Sequence, residues 1–275
     1  MTEYIHSIQL GAATVTVINV GDLLYSLADY LVVPESERPT DFAQPLRLPI
    51  QCVHIALPGA SVLVDASYYD VAPDSPHAVP DYQPPPGLLA GLGESGIRPE
   101  AIDYVVITHG HHDHLNGLTQ PHNGDTTPCF PNARHLFSRA DWDRAQAALQ
   151  ENDSVESRTL AVIQRAGLLD LVEGERDLGN GVQIIAAPGE SPGHQIVRVH
   201  SQGQTLYCLG DLYHQPADVA HPEWQAAWAD ADSSRASQRA LAEAALQEQA
   251  LLVATHIGGI GRLERAAAGC VWVAA

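Results

Sequence analysis

Thr108-His109-Gly110-His111-His112-Asp113-His114 places four imidazoles and a carboxylate directly behind the apolar run Tyr104–Ile107. A short buried strand delivers such a run to a sheet edge. In an extended segment alternate side chains share a face, so His109 and His111 can converge on one cation. Gly110 lets the backbone turn without a Cβ penalty. Beyond that turn Asp113 and His114 can face a second ion. Imidazole and carboxylate donors suit zinc first, with iron, manganese, cobalt or nickel as alternatives. A polar surface loop or a set of core histidines is the bland reading, and so many histidines at one strand end speak against it.

So short a cluster does not enclose two ions alone, and further donors are expected at other strand ends. His194 closes the glycine-proline turn Pro188-Gly189-Glu190-Ser191-Pro192-Gly193-His194, just before an apolar strand at 196–200. Asp211 follows the strand Thr205–Leu209, and its two oxygens can bridge two ions. His256 follows the strand Leu251–Ala254. A lone histidine after a strand is more often a loop residue than a ligand. The three are credible because they occur together, behind the cluster.

The rest of the chain frames this centre. Its 275 residues are 45% hydrophobic and 17% charged, a globular balance that fits one domain over 1–275. No apolar run is long enough to span a bilayer, and the first residues lack the pattern of an export signal, so a cytoplasmic protein with no membrane partner is expected. Acidic residues outnumber basic ones 33 to 14, a net charge of −19. With the arginines scattered, such a surface repels polyanions and argues against a nucleic-acid partner. Cys52, Cys129, Cys208 and Cys270 are widely spaced and read as free thiols.

Alternation at Ile5–Leu10 and Val15–Val20 predicts an opening hairpin, and Ile50–Leu57 with Ser61–Asp65 a second one. Residues 22–49 lose regular pattern and read as a long loop, either a substrate lid or a segment packed on the core. The proline-rich stretch 70–87 reads as loop. Helices are expected at Leu88–Ser95, from a Ser138/Asp141 capping box to about Gln150, from an Asp153/Glu156 box to Gly167, and at Ser233–Gln249. Strand-rich blocks followed by helices in both halves suggest an α/β fold, two face-to-face sheets with helices outside, an α/β/β/α sandwich.

Cluster and later donors together resemble the metallo-β-lactamase superfamily, whose signature is HxHxDH followed by His, Asp and His. The resemblance spans the chain from Asp65 to His256. It implies one metal held by His109, His111 and His194, another by Asp113, His114 and His256, and Asp211 bridging them. Asp65 matches a buried aspartate that supports the metal loop, and His112 fills a variable, solvent-facing position. The stretch His221-Pro222-Glu223-Trp224 and the ending Thr255-His256-Ile257-Gly258-Gly259-Ile260-Gly261-Arg262 are similar to the branch of acyl-homoserine lactonases and methyl parathion hydrolase-like enzymes. One position departs: those lactonases often carry a tyrosine three residues after the bridging aspartate, where this chain has His214, with Tyr213 beside it. Either side chain can be the catalytic contact to a substrate oxygen. Tyr25, Tyr30, Phe42, Trp224 and Trp228 are candidates for an apolar pocket wall.

The chemistry this implies is hydrolysis of a small-molecule lactone or carboxylic ester, such as an acyl-homoserine lactone, by hydroxide held between two divalent metal ions. Asp113 is placed to carry a proton to the leaving group. A phosphotriesterase keeps the same site with a different electrophile. A mono-iron persulfide dioxygenase would not need the second set Asp113, His114 and His256. A true β-lactamase would lack Asp211, and a glyoxalase II-like thioesterase would carry a helical extension, whereas the chain ends 19 residues after His256. Nothing in the sequence fixes the oligomeric state; a homodimer is kept open because homodimers are the commonest assembly.

Overall fold

Leu63 and Val105 face one side of their strands, and their neighbours Val62, Val64 and Val106 face the other, yet all are buried. Such double burial produces uninterrupted apolar runs and requires a covering layer on each face. The computed structural model, which describes residues 4–267 and 269–275, supplies those layers. Seven strands form the first sheet in chain order: β1 (Ile5–Leu10), β2 (Ala13–Tyr25), β3 (Leu46–Leu57), β4 (Ala60–Val64), β5 (Tyr104–Val106), β6 (Arg134–Ser138) and β7 (Leu169–Val172). Seven more form the second, again in chain order: β8 (Arg176–Gly179), β9 (Val182–Ala186), β10 (Gln195–Ser201), β11 (Gln204–Cys208), β12 (Leu251–Val253), β13 (Gly261–Ala266) and β14 (Gly269–Ala274).

Three cores separate four layers. Val15, Val53, Ile55, Val62 and Val106 from the first sheet meet Ile184, Val197, Val199, Leu206 and Val253 from the second. On the outer face of the first sheet, Ile18, Cys52, Leu63 and Val105 pack against Leu88 and Leu92 of the helix Leu88–Glu94 and Leu160 and Ile163 of the helix Leu160–Arg165. On the outer face of the second, Tyr207, Leu252 and Leu263 receive Leu241 and Ala245. These belong to the helix Ala231–Glu248, whose buried residues Ser234, Gln238, Leu241 and Ala245 recur at helical spacing. The expected α/β/β/α sandwich is therefore the observed fold.

β4, β5, β6 and β7 pair in parallel, as do β11 and β12. Parallel strands end on the same side, so Asp65 after β4 lies beside the histidine cluster after β5. On the facing sheet, Asp211 after β11 lies beside His256 after β12. Gln51 of β3 joins the two: its amide nitrogen donates to the carbonyls of Ala254 and Ile257, both at 2.7 Å, and its oxygen accepts from Gly259 N at 2.9 Å.

Several expectations change. The irregular segment is shorter than 22–49, because β2 and β3 continue their pairing to Tyr25↔Leu46 and take up residues 22–25 and 46–49. Pro49 masked this extension, yet its carbonyl is used. Between the strands lie a one-turn helix Leu27–Tyr30 and a strand pair joining Leu31–Val32 to Gln225–Ala226. Asp141 is no capping residue: Ser138 caps alone, accepting from Ala140 N, and the helix Arg139–Arg144 is short. The next helix starts from Ser154, not Asp153, and is interrupted at Thr159. The pair β13–β14, beyond the last expected strand, completes the second sheet. All four cysteines are free thiols. Among the described residues no helix is long and apolar enough to cross a membrane.

Ile55 is fully buried between the sheets. Ile55→Ala is expected to lower unfolding free energy by about 2–5 kcal/mol, through lost transfer energy and the cavity left behind, as read by denaturant titration.

Candidate metal centre

Three imidazoles of the centre are oriented by a partner on their far nitrogen. His114 Nδ1 donates to Asp65 Oδ2 at 2.8 Å, His194 Nδ1 to the Ala187 carbonyl at 3.0 Å, and His256 Nδ1 to the Pro49 carbonyl at 2.9 Å. Carbonyl and carboxylate oxygens only accept, so Nδ1 carries a proton, and in the neutral ring Nε2 keeps the lone pair that a metal ligand requires. Asp65 also accepts from Thr108 N at 2.7 Å and Thr108 Oγ1 at 2.9 Å, fixing the start of the cluster. It has the expected supporting role and adopts a positive φ of 61° to fill it.

A second carboxylate, unread in the sequence, fastens the two donor loops together. Asp141 Oδ2 accepts from Gly110 N at 2.9 Å and Ser191 Oγ at 2.7 Å, and Oδ1 accepts from Gly193 N at 2.8 Å. Gly193 is needed there, since a Cβ would stand 2.7 Å from Asp141 Oδ1 and 2.5 Å from Ser138 Oγ.

Asp211 is the hub. One or other of its oxygens lies 3.3 Å from His114 Nε2, 3.3 Å from His256 Nε2, 3.5 Å from His214 Nε2 and 3.8 Å from His109 Nε2. Asp113 Oδ2 lies 3.3 Å from His256 Nε2, and Oδ1 3.7 Å from His114 Nε2. Most of these separations exceed an ordinary N–H···O hydrogen bond. They approach the edge of a coordination shell: two donors about 2.0–2.2 Å from one tetrahedral ion stand about 3.4 Å apart. His109 Nε2, His114 Nε2 and Asp211 Oδ1 are buried with no hydrogen-bond partner. Buried polar atoms are not normally left so. The donor set fits divalent cations.

The donors fall into two groups whose atoms lie within 4.8 Å of one another: Asp113, His114 and His256, and His109, His111, Asp211 and Glu190. Six of the expected ligands are thus brought together. His194 is not in the second group, although it is buried, its ring is 5.2 Å from His109, and its Nε2 sits 3.2 Å from Asp211 N. Glu190 joins instead. The only signal for it was its place four residues before His194 in the same turn.

Electrostatics follow from burial among opposite charges. Burial, with His114 beside it, pushes His109 well below its usual range and keeps it neutral. Burial alone would raise the carboxyls of Asp211 and Glu190. His114 and His256 hold Asp211 well below the usual range, and His214 and His111 bring Glu190 down to about 2. Burial would lower His256, but Asp211 and Asp113 raise it to about 9. The buried carboxylates are thus held ionised by positive charge beside them, which protonated imidazoles or bound cations can supply.

Tyr213 and His214 separate cleanly. The Tyr213 hydroxyl donates to the Gln238 carbonyl at 3.3 Å, within the outer core. The His214 ring lines the cavity above the donors, with Nε2 between Asp211 and Glu190. Asp218 holds it from behind, accepting from His214 N at 2.8 Å and from the Tyr30 hydroxyl at 3.0 Å. His112 is exposed, as expected, and pairs with Asp70.

A profile of the metallo-beta-lactamase superfamily matches residues 45–256. The chain belongs to that superfamily. As a member it is a metal-dependent hydrolase of the metallo-beta-lactamase fold. An N-acyl homoserine lactonase of Bacillus cereus is 23% identical over 221 residues, covering 77% of this chain and 82% of the relative. A mouse metallo-beta-lactamase domain-containing protein 1 is 29% identical over 142 residues, half of this chain and 44% of the relative. Among solved structures, the hydrolase AbOPH superposes with a TM-score of 0.80 at 18% identity, covering 100% of this chain and 98% of that one. AidC, a dizinc quorum-quenching lactonase in complex with a homoserine product, gives 0.76 at 18% identity, with 98% and 97% covered. These superpositions establish the shared fold.

Asp141→Ala leaves three donors, two of them buried, without their acceptor. It is expected to destabilise the protein by roughly 3 kcal/mol or more, because hydrogen bonds to a charged group contribute about 1.5–3 kcal/mol each. Thermal melts with and without added Zn²⁺ would show it, and an unchanged melting temperature would remove Asp141 from this role.

Proposed function

We propose that the protein opens a lactone or carboxylic ester of modest size, with an acyl-homoserine lactone as the leading substrate. The observation that carries this reading is a cavity of about 380 Å³ whose floor holds Asp113, Asp211, His111 and His256 and whose wall is Leu23, Tyr25, Leu48, Tyr30 and Trp228. A polar floor beneath an apolar wall suits an ester head joined to an acyl chain. The similarity to N-acyl homoserine lactonases supports the same class.

Two divalent cations, zinc first among them, would be held by His109, His111 and Asp211 on one side and Asp113, His114, His256 and Asp211 on the other. When bound they supply a water activated as nucleophile near neutral pH and a positive field for developing negative charge. The chain's own groups do the rest. Leu23, Tyr25 and Leu48 take the acyl chain and exclude water. His214, fixed by Asp218 and Tyr30, lines the cavity beside Asp211, and a turn of its ring toward the ligand would let it donate to the carbonyl oxygen as charge accumulates there. Asp113 accepts the proton of the attacking water and delivers it to the alkoxide released when the ester C–O bond breaks. Water adds and one C–O bond is lost, giving a hydroxy acid from a lactone or an acid and an alcohol from an open-chain ester. Tyr25 and Tyr30 fulfil the expected wall role. Phe42 and Trp224 are packed in a separate small core beside them.

The reading is tested by comparing kcat/KM on an acyl-homoserine lactone, an aryl ester and an organophosphate triester, before and after chelation. Lactone hydrolysis that is lost on chelation and restored by Zn²⁺ is expected. Turnover confined to the phosphotriester would replace the ester reading. His214→Ala should lower kcat/KM roughly 10²-fold, the usual cost of removing one donor to a developing oxyanion, with metal content unchanged.

A further inference from the structure

Glu190 is a carboxylate buried to 95%, and its surroundings make no sense as those of a surface acid. Its Oε1 lies 3.2 Å from His111 Nδ1 and 3.7 Å from His214 Nε2, and accepts a 2.6 Å hydrogen bond from the Trp228 indole N–H. No lysine or arginine reaches it among the described residues. Taking a lone carboxylate out of water is costly unless a cation or several donors meet it. Trp228 supplies one donor. On the other side stand His111, and beyond it His109 Nε2 and Asp211 Oδ1, both buried and without partners.

Resting on the metal-centre reading above, we propose that Glu190 is a carboxylate ligand of the cation held by His109 and His111. The 3.2 Å gap to His111 Nδ1 approaches the donor spacing of a shared ion, about 3.4 Å for tetrahedral bonds near 2.1 Å. Trp228 is then the outer partner that orients the ligand, the place a hydrogen-bond donor to a coordinating carboxylate takes in metal sites generally. The assignment also changes the charge of that side. With Glu190 and Asp211 both present, the ion meets two carboxylates and neutral imidazoles. Oxygen-rich, anionic surroundings favour harder ions such as Mn²⁺ relative to an all-imidazole set.

The test reads metal binding directly, on the full-length protein stripped by chelation and reloaded with Zn²⁺, Mn²⁺ or Co²⁺. Wild type is expected to take up two equivalents. Glu190→Gln should keep one equivalent at wild-type affinity and bind the other at least about tenfold more weakly. The visible absorption of its Co²⁺ form should change in intensity, which reports coordination and not mere packing. Glu190→His, which offers a neutral donor from the same place, should restore the second Zn²⁺ while lowering the Mn²⁺ to Zn²⁺ preference. If Glu190→Gln does not fold, Trp228→Phe is read on the same Co²⁺ spectrum, where an altered band supports the assignment and an unaltered one opposes it. Two tightly held equivalents and an unchanged spectrum in Glu190→Gln would overturn the ligand role alone. A wild type that binds no metal would overturn the metal-centre reading with it.

Discussion

Everything about the centre depends on one buried carboxylate, Asp211, facing four imidazoles that no single loop could supply. His109 and His114 come from the end of β5 in the first sheet, His256 from the end of β12 in the second, and His214 from the segment after Asp211 itself. The convergence is possible only because the parallel strands of each sheet end on the same side and the sheets lie face to face. Gly210, at φ 53°, makes the final approach feasible: a Cβ there would stand 2.8 Å from both His194 Nε2 and Thr108 Oγ1. A side chain at 210 would push β11 away from β5 and separate the donors.

So tight a convergence of buried polar and charged groups is not self-supporting. Asp65, Asp141, Asp218 and Gln51 act as fasteners, each tying a donor-bearing segment to another part of the chain. Asp65 binds the start of the histidine cluster, and Asp141 ties that cluster to the 188–194 turn. Gln51 binds β3 to the loop carrying His256. The fasteners are polar and buried, so each is costly to leave half-satisfied and cheap to retain once satisfied. This is a physical reason why the donors hold their spacing with cation-sized gaps between them.

The four-layer fold and most of the donor set were legible in the sequence because both depend on local patterns. Apolar runs of strand length, and histidines directly behind them, are visible without knowing what they touch. Asp141, Asp218 and Glu190 were not legible, because a carboxylate in a loop or a one-turn helix looks the same whether it faces water or a segment distant in the chain. Asp141 was misread for a specific reason: three residues after Ser138 it matches a capping box, and only the tertiary structure shows its oxygens turned to Gly110, Ser191 and Gly193. The choice between Tyr213 and His214 was equally undecidable from adjacency. Successive residues point apart, and the side that faces the cavity depends on how the helix Ala231–Glu248 packs against Tyr213.

The extension of β2 and β3 past the sheet changes what kind of selectivity the enzyme can have. Had residues 22–49 been a loop, the cavity wall would be a lid able to close on ligands of different shapes. Leu23, Tyr25 and Leu48 instead sit on two strands paired to their last residues, Tyr25↔Leu46. The ring of His77 stacks on Tyr25 at 3.9 Å, and the carbonyl of His77 accepts from Leu24 N at 2.9 Å. A wall built from paired backbone is largely preformed, so a ligand entering the cavity meets a surface of fixed contour there. Adaptation is left to the opposite side, where Trp228 is half exposed. Trp228 also holds Glu190, so a displacement of the indole by a bound ligand would reach the donor cluster through a single hydrogen bond. The cavity wall and the donor cluster are therefore linked in this chain through one side chain, Trp228, and its hydrogen bond to Glu190.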